Sequence, residues 1–343
     1  MIGFILAAGY GTRLRPVTYT LPKPMVPLCN RPLIAWAVES FLDGGVRELV
    51  VNLHHLPEPL ERYVRERYGD AATLHFSYEA EILGTGGAIR RVGPLLEREE
   101  AFFLVNGDTV QFPPYAKLEE ARRAQQALAA LALRHPPQGD RFTSVWLDNG
   151  RITGFGQGHG EALMFSGAHA ISTRVLRHLP DKEFSGIVDE VYQPLLADRS
   201  ETIAGVIDDG LWFDVGTPQR YLVASRALLE ATVRGDLRPV QTSRVVGDSL
   251  VDVTAKTPGT LVRSTVGARS IVKGELRDTT VWDDCTIGGS VLLERCIVAH
   301  GVELSGPLEL HDALVCRDDA AIPNDVAYER RDGLVIVHVS SRA

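Results

Sequence analysis

The spacing of apolar residues changes once along the chain, and this change limits what the chain can fold into. From residue 1 to about residue 235, short apolar runs alternate with amphipathic stretches. The runs at 2–8, 48–53, 74–78 and 101–105 predict buried strands, and the stretches between them predict helices, one of them from Pro57 to Tyr68. A repeated strand–helix order predicts an α/β domain, in which helices cover both faces of a mostly parallel sheet.

After residue 237, branched or aliphatic residues recur every five or six positions. They are Val266, Ile271, Leu276, Val281, Ile287, Leu292, Ile297, Val302, Leu308 and Leu314. Neither a helix nor an alternating strand has this step, whereas a coil of short parallel strands places one inward residue on each side of every turn. An antiparallel sandwich is the alternative. The sequence therefore predicts an α/β domain at 1–236, a coil at 237–330 and a C-terminal tail at 331–343.

The composition indicates which partners and compartments to expect. There are 36 Lys and Arg residues against 44 Asp and Glu, a formal net charge of −8, without the clustered basic surface that nucleic acids require. Since no run of about 18 apolar residues and no basic secretory leader occurs, we expect no membrane partner and a cytoplasmic protein. The four cysteines have no metal-ligand spacing and are too few to cross-link a chain of this size, which fits a reducing compartment.

The segment that follows the first predicted strand has the features of a phosphate-binding loop. Gly9 and Gly11 allow backbone N–H groups to approach a phosphate, and Arg13 adds a planar fork of donors. A tight turn without a ligand is the alternative. The segment lacks the third glycine of a dinucleotide fingerprint and the GK[ST] of a P-loop, so neither of those sites is expected.

A second segment, LPKPMVPL, places Lys23 between two prolines in an otherwise apolar loop. Proline fixes φ on both sides of the lysine and so restricts where the ammonium points. The alternative is a rigid loop that carries a solvated lysine. An aimed ammonium would suit a small phosphate ligand.

The order of these two segments, AAGYGTRLRPVTYTLPKPMVP, resembles the N-terminal signature of the sugar-1-phosphate nucleotidylyltransferases, also called NDP-sugar pyrophosphorylases. Three later segments also match this family: EILGTGGA at 81–88, VNGDT at 105–109 and WFDVGTP at 212–218. The segment FSGA at 165–168 is similar to the family's sugar-contacting segment. The resemblance implies a Rossmann-like nucleotidyltransferase domain. The coil resembles the left-handed parallel β-helix that many members append.

The resemblance also implies roles for individual residues. The catalytic residues would be Arg13, Lys23, Asp108 and Asp214, and the two aspartates would bind Mg²⁺. Either aspartate alone could instead be a helix cap or a turn residue. The nucleotide would be bound by Leu6, Ala8, Gly9, Gly11, Thr12, Glu81, Gly84, Thr85, Gly86 and Gly87. The sugar would be contacted by Asn106, Ser166 and Gly167.

The implied reaction joins an NTP and a sugar 1-phosphate and releases pyrophosphate. The resemblance favours GTP with mannose 1-phosphate or a heptose 1-phosphate. A uridylyltransferase acting on N-acetylmuramate 1-phosphate and a non-catalytic protein that binds nucleotide sugars are the alternatives. A glycosyltransferase is disfavoured, because its Asp-x-Asp motif would stand where this chain has Asn106-Gly107-Asp108. The coil is also a candidate surface for assembly into a homo-oligomer.

Overall fold

The computed structural model describes residues 1–137, 142–324 and 328–339. They form two compact units, the first of residues 1–9 and 34–212, and the second of residues 10–33 and 213–343. The sequence divides the chain near residue 237, but the structure groups residues 10–33 with the coil. The Asn30 amide donates to the Val266 carbonyl at 3.0 Å, a contact between residues far apart in sequence.

Among the described residues of the first unit, nine strands form one sheet. Their spatial order is Thr73–Tyr78, Glu48–Leu53, Ile2–Leu6, Ala101–Asn106, Glu161–Ser172, Ala129–Arg134, Ile203–Ile207, Arg151–Phe155 and Val145–Asp148. The first four are parallel to one another. Their inward side chains, such as Phe4, Val50 and Phe102, are fully buried. Two short strands lie at Thr109–Gln111 and Trp212–Asp214.

The sheet is mixed, which corrects the prediction of a mostly parallel sheet. Glu161–Ser172 runs antiparallel to both of its neighbours, Ala101–Asn106 and Ala129–Arg134. The preceding strands, Val145–Asp148 and Arg151–Phe155, also pair antiparallel, across a turn at Asn149-Gly150 in which both residues have positive φ. Such a tight turn reverses the chain without a crossover helix, so the two strands that it joins pair antiparallel.

The helices lie close to where the sequence predicts them. The predicted helix at Pro57–Tyr68 has these bounds in the structure. The α-helices are Leu33–Asp43, Pro57–Tyr68, Gly84–Arg91, Gly93–Leu96, Tyr115–Ala124, Gln193–Ala197 and Pro218–Arg234, and a π-helical turn spans Val188–Tyr192. No described helix is both long enough and apolar enough to cross a membrane.

The second unit contains the predicted coil. Its strands form three sheets, in which successive turns of the chain pair parallel and only the strands at the two ends of the largest sheet pair antiparallel in the described residues. They are Ser243–Val246, Ser249–Asp252, Thr260–Val262, Thr265–Val266, Ile271–Val272, Glu275–Arg277, Thr280–Val281, Thr286–Ile287, Val291–Glu294, Ile297–Val298, Glu303–Leu304, Leu308–His311, Ala313–Arg317, Glu329–Arg331 and Leu334–His338. The parallel ladders exclude the antiparallel sandwich for this part of the chain. A separate short hairpin pairs Pro27–Leu28 with Arg31–Pro32.

Three columns of aliphatic side chains fill the coil, one from each sheet. They are Val266, Val281, Val298 and Val315; Val272, Ile287 and Leu304; and Leu261, Leu276, Leu293 and Leu310. Successive members stand 15 residues apart in the early turns and 17 in the later ones, which explains why the repeat in the sequence is irregular. At Ile271, Leu292, Ile297 and Leu314 the prediction is one residue early, because two neighbouring aliphatic residues compete for the inward position.

The predicted tail at 331–343 contains a β-strand. Leu334–His338 pairs antiparallel with Ala313–Arg317 and with Glu329–Arg331, so a hairpin covers the last turn of this sheet. Residues 340–343 lie outside the described residues. A covered sheet edge is less prone to pair with other chains.

One corner of the coil carries a column of alternating charges, Arg263, Asp278, Arg295 and Asp312, all with positive φ. Arg263 donates two hydrogen bonds to Asp278, at 2.8 and 2.7 Å, and Arg295 donates two to Asp312, at 2.6 and 2.7 Å. The hydrogen bonds from Arg263 lower the pKa of Asp278 below its ordinary value. Each pair joins successive turns of the coil.

We expect the Asp278→Asn variant to lose about 1 kcal/mol of unfolding free energy at pH 7, since a bidentate ion pair becomes a neutral contact. A carboxylate with a lowered pKa stabilises the fold above its ordinary pKa of 3.8, and this contribution is lost as the pH falls below that value. Urea unfolding between pH 7 and pH 3 should therefore show the parent and the variant converging. Asp332→Asn, at an exposed pair, is the control, and an Asp278→Asn effect that does not change with pH would contradict the assignment.

Candidate active site

The ends of three parallel strands of the first unit lie at the same level. Leu6 pairs with Asn52 on one side and with Asn106 on the other. The segments that follow, Ala7–Gly9 and Gly107–Asp108, therefore start at the same edge of the sheet. The structure therefore brings together the first-unit residues predicted at 6–9 and 106–108. This carboxyl edge is where α/β folds bind their ligands.

A buried polar network joins these strand ends, and the sequence analysis missed it. The Asn52 side chain accepts a hydrogen bond from the Ala7 backbone N–H at 2.6 Å and donates one to Glu79 at 2.7 Å. The second carboxylate oxygen of Glu79 accepts from the Leu83 N–H at 2.9 Å. Asn52 and Glu79 are 4 % and 5 % exposed. A polar residue at the end of each apolar run, beside the predicted loops, is the signal that could have revealed them.

This network connects two loops to which the resemblance assigns nucleotide contacts. Ala7 precedes Ala8 and Gly9, and Leu83 precedes Gly84. A Cβ at Gly9 would meet no described atom within 4 Å, so packing does not require glycine there and the backbone is open to a ligand.

The glycines at 84–87 have a structural role as well. A Cβ at Gly84 would lie 2.5 Å from the Ser185 carbonyl oxygen, and a Cβ at Gly87 would lie 2.1 Å from that of Glu183. The Gly86 N–H already donates to the Ser185 carbonyl at 2.8 Å. Glycine is therefore required so that the helix Gly84–Arg91, which also contains Thr85, can pack on residues 183–185. Glu81 is exposed before this helix.

The residues predicted to contact the sugar lie beside each other in the first unit. Gly167 has φ +92, and a Cβ there would lie 2.5 Å from the Asn106 amide nitrogen. The neighbouring Ser166 is 7 % exposed, and its hydroxyl has no hydrogen-bond partner among the described residues. The Ser166 carbonyl accepts from the Trp212 indole N–H at 2.9 Å. A buried hydroxyl without a partner is a ready contact for a ligand hydroxyl.

His169, three residues beyond Ser166, supplies no positive charge near neutral pH. Burial lowers the pKa of its imidazole to about 3. A ring nitrogen lies 3.0 Å from the Tyr192 hydroxyl, and the ring packs edge-on against Phe165. His169 is therefore a neutral packing residue.

The second unit carries the predicted cations and one predicted carboxylate. Lys23 is 5 % exposed and lies in a 3-10 turn between Pro22 and Pro24. Gly11 has φ +63, and a Cβ there would lie 2.8 Å from the Lys23 Cβ. Thr12, directly after Gly11, begins a 3-10 turn that ends at Leu14. The close approach of Gly11 and Lys23 joins the two motifs that carry the resemblance.

Arg13 and Asp214 lie near each other in this unit, and Arg220 also contacts Asp214. The Asp214 carboxylate accepts a hydrogen bond from Arg220 at 2.5 Å and lies 3.9 Å from an Arg13 nitrogen. A Cβ at Gly216 would lie 2.7 Å from the Arg13 guanidinium, so glycine is needed for Arg13 to reach this position. Sequence reasoning missed Arg220, since one arginine in a helix has no distinguishing pattern.

The metal assignment rests on the two carboxylates alone. Within the described part of the chain, no group of three or more His, Cys, Asp or Glu side chains could hold a metal ion. Mg²⁺ commonly binds one or two protein carboxylates, with water and phosphate oxygens completing its coordination. Asp108 and Asp214 would offer such an ion hard carboxylate oxygens, a donor type that Mg²⁺ binds.

Comparisons with known proteins agree with these motifs. A model of the nucleotidyl transferase family matches residues 2–231. A mannose-1-phosphate guanyltransferase of Yarrowia lipolytica is 32 % identical over 75 % of this chain and 73 % of its own length. A probable mannose-1-phosphate guanylyltransferase 2 of Oryza sativa is 28 % identical over 89 % of this chain and 82 % of its own.

A solved structure, HddC from Yersinia pseudotuberculosis complexed with GMP-PN, has the same fold over part of the chain. It superposes with a TM-score of 0.56 at 23 % sequence identity. The match covers 66 % of this chain and 99 % of that chain.

The buried network predicts a measurable effect of Glu79→Gln. Because glutamine replaces one of two accepting oxygens with a donor, either Asn52 or Leu83 loses its partner. We expect a loss of about 1–3 kcal/mol in unfolding free energy and faster hydrogen exchange at the Leu83 amide. Urea unfolding and exchange mass spectrometry provide the readouts, with exposed Glu66→Gln as the control. Unchanged protection at Leu83 would show that Glu79 does not hold this loop.

Proposed function

This chain belongs to the nucleotidyl transferase family and is a sugar-1-phosphate nucleotidylyltransferase, and we propose that its substrates are GTP and mannose 1-phosphate. A heptose 1-phosphate is the second candidate for the sugar substrate. The choice of substrates rests on the names of the relatives. The relative from Yarrowia lipolytica is named a mannose-1-phosphate guanyltransferase, and the one from Oryza sativa is named a probable mannose-1-phosphate guanylyltransferase 2.

In the proposed reaction, a phosphate oxygen of the sugar 1-phosphate attacks the α-phosphorus of GTP in line. The bond between the α-phosphorus and its bridging oxygen breaks, and pyrophosphate leaves with that electron pair. The nucleophile is already an anion, so no general base is needed. The chain has to bring two anions together and stabilise the charge that develops on the oxygens.

We assign the cationic part of this task to Lys23 and Arg13. Lys23 is buried between two prolines, so its ammonium is restrained and shielded from water. It would neutralise phosphate oxygens at the reacting centre. Arg13 is 61 % exposed at its side chain and would bind the leaving pyrophosphate. A partly buried cation acts more strongly on a phosphate than one in bulk water.

We assign Mg²⁺ to the carboxylates of Asp108 and Asp214. When bound, the ion would supply Lewis-acid stabilisation of the phosphate oxygens. Arg220 and Arg13 lie beside the Asp214 carboxylate and would orient it for that role. The backbone at residues 8–12 would contact the triphosphate, and the segment 81–87 would contact the base.

On the sugar side, the proposal relies on Ser166. Its buried hydroxyl without a partner among the described residues supports a contact with a hydroxyl of the sugar. The Asn106 amide lies against Gly167 and would add a second contact. A sugar without the matching hydroxyl would leave the Ser166 hydroxyl buried and unpaired.

For the coil, we propose the left-handed winding that the resemblance implies, and a role as an assembly surface for a homo-oligomer. The exposed Val245, Val246 and Val253 near its first turn support an assembly surface. We also propose that the enzyme works in the cytoplasm. The four cysteines are free and buried, which suits a reducing compartment.

The Asp108→Asn variant tests the metal assignment with little change of shape. Losing one negative charge should lower Mg²⁺-dependent pyrophosphate release by at least about 100-fold. The ion would lose a carboxylate ligand, and the negative charge on the phosphates would then be stabilised less. A coupled pyrophosphate assay across Mg²⁺ concentrations measures this. Asp148→Asn, at an exposed strand end, is the control. Pyrophosphate release at the parental rate by Asp108→Asn would contradict the assignment.

A turnover screen tests the substrates. The parent should release pyrophosphate fastest with GTP and mannose 1-phosphate when GTP, ATP, UTP and CTP are each paired with several sugar 1-phosphates. Faster turnover of UTP with N-acetylmuramate 1-phosphate would contradict the proposed pair. Binding of nucleotide sugar without pyrophosphate release from any pair would favour a non-catalytic protein.

A further inference from the structure

One buried tyrosine joins three segments of the second unit. The Tyr221 hydroxyl donates to the Pro27 carbonyl at 2.6 Å and accepts from the Trp282 indole N–H at 3.0 Å. Tyr221 and Trp282 are 1 % and 3 % exposed. Burial raises the pKa of Tyr221, so its hydroxyl stays protonated and keeps donating. The coil residue Trp282 is thus linked through one hydroxyl to the loop that follows Lys23.

The path from Pro27 to Lys23 is short and stiff. The Val26 N–H donates to the Lys23 carbonyl at 3.0 Å, and the Met25 N–H donates to the Pro22 carbonyl at 2.8 Å. Prolines at 22, 24 and 27 fix φ at three of the six residues from 22 to 27. A shift of the Pro27 carbonyl would therefore be passed on to Lys23.

The same tyrosine is tied to Asp214 through its own helix. Pro218–Arg234 starts at the Thr217 cap, and its first turn carries both Arg220 and Tyr221. Arg220 donates to Asp214, whereas Tyr221 donates to Pro27. Adjacent residues of one helix therefore hold the segment of Asp214 and the segment of Lys23.

A second set of contacts holds the tip of the short hairpin of Pro27–Leu28 and Arg31–Pro32, which contains Pro27. The Asn30 amide donates to the Val266 carbonyl at 3.0 Å and to the Ser243 hydroxyl at 3.1 Å. These contacts keep the hairpin on the coil when a single bond elsewhere is removed. A change at the Tyr221 hydroxyl should therefore shift the loop rather than unfold it.

We propose that Tyr221, held by Trp282 of the coil, is a positioning residue for nucleotidyl transfer. It sets where Lys23 stands relative to Asp214, so the coil takes part in catalysis by holding the lysine loop. The inference rests on the proposed function for the role of Lys23. Because Tyr221 acts through Lys23 and touches no substrate, its loss should change the rate of the chemical step more than substrate binding.

The Tyr221→Phe variant removes the hydroxyl and keeps the ring. We expect kcat to fall about 10-fold or more, with KM for GTP and for mannose 1-phosphate within about threefold of the parental values. Hydrogen exchange in peptides that cover residues 22–33 should rise. Trp282→Phe keeps the bond to Pro27 and should lower kcat less. Tyr68→Phe is the matched control, since its buried hydroxyl donates to Glu39, remote in sequence from both motifs.

A double-mutant cycle with Lys23→Ala separates the two proposals. If Lys23→Ala retains the parental kcat, the role of Lys23 in the proposed function is wrong. If Lys23→Ala loses activity while Tyr221→Phe keeps both the parental kcat and the parental exchange at 22–33, the positioning proposal is overturned. In the Lys23→Ala background, we expect Tyr221→Phe to lower kcat less than twofold further. An equal fold-loss in both backgrounds, or a loss that only follows the folded fraction, would also overturn it.

Discussion

The parallel register at the centre of the first unit is the constraint on which the first half of the site depends. Leu6 lies opposite both Asn52 and Asn106, so three chain segments leave the sheet at one edge. Asn52 and Glu79 then fix the first of these segments at Ala7, and the loop at Leu83, by buried hydrogen bonds. A slip of the register would separate the donors from the acceptors and would leave a buried carboxylate unpaired, which is strongly unfavourable.

The charge of the chain explains why Lys23 is held so tightly. At a formal net charge of −8 the protein repels two polyanionic substrates at long range. Attraction has to come from cationic groups placed locally. Lys23 is buried in a proline-restrained turn, whereas the Arg13 side chain is 61 % exposed and lies beside Asp214 and Gly216. A flexible surface lysine would be screened and would contribute little.

The sequence predicts the elements that depend on local pattern and misses those that depend on distant partners. Pro57–Tyr68 and Glu48–Leu53 have the predicted bounds. Each has a single hydrophobic periodicity and is bounded by residues that typically end helices or strands. The direction of Glu161–Ser172 is missed, since it depends on the distant strands with which it pairs rather than on the strand itself. The choice of Leu293 over Leu292 depends on the neighbouring turns of the coil. For the site, the motifs predict Arg13, Lys23 and Asp214 but give no sign that residues 10–33 pack with the coil.

The central claim, nucleotidyl transfer to a sugar 1-phosphate, is tested most directly by phosphorus NMR of the parent with GTP, mannose 1-phosphate and Mg²⁺. We predict that pyrophosphate and a diphosphate-linked sugar nucleotide form in equal amounts, and that neither forms when the sugar phosphate is omitted. Orthophosphate as the product, or pyrophosphate release that does not depend on any sugar 1-phosphate, would contradict the account.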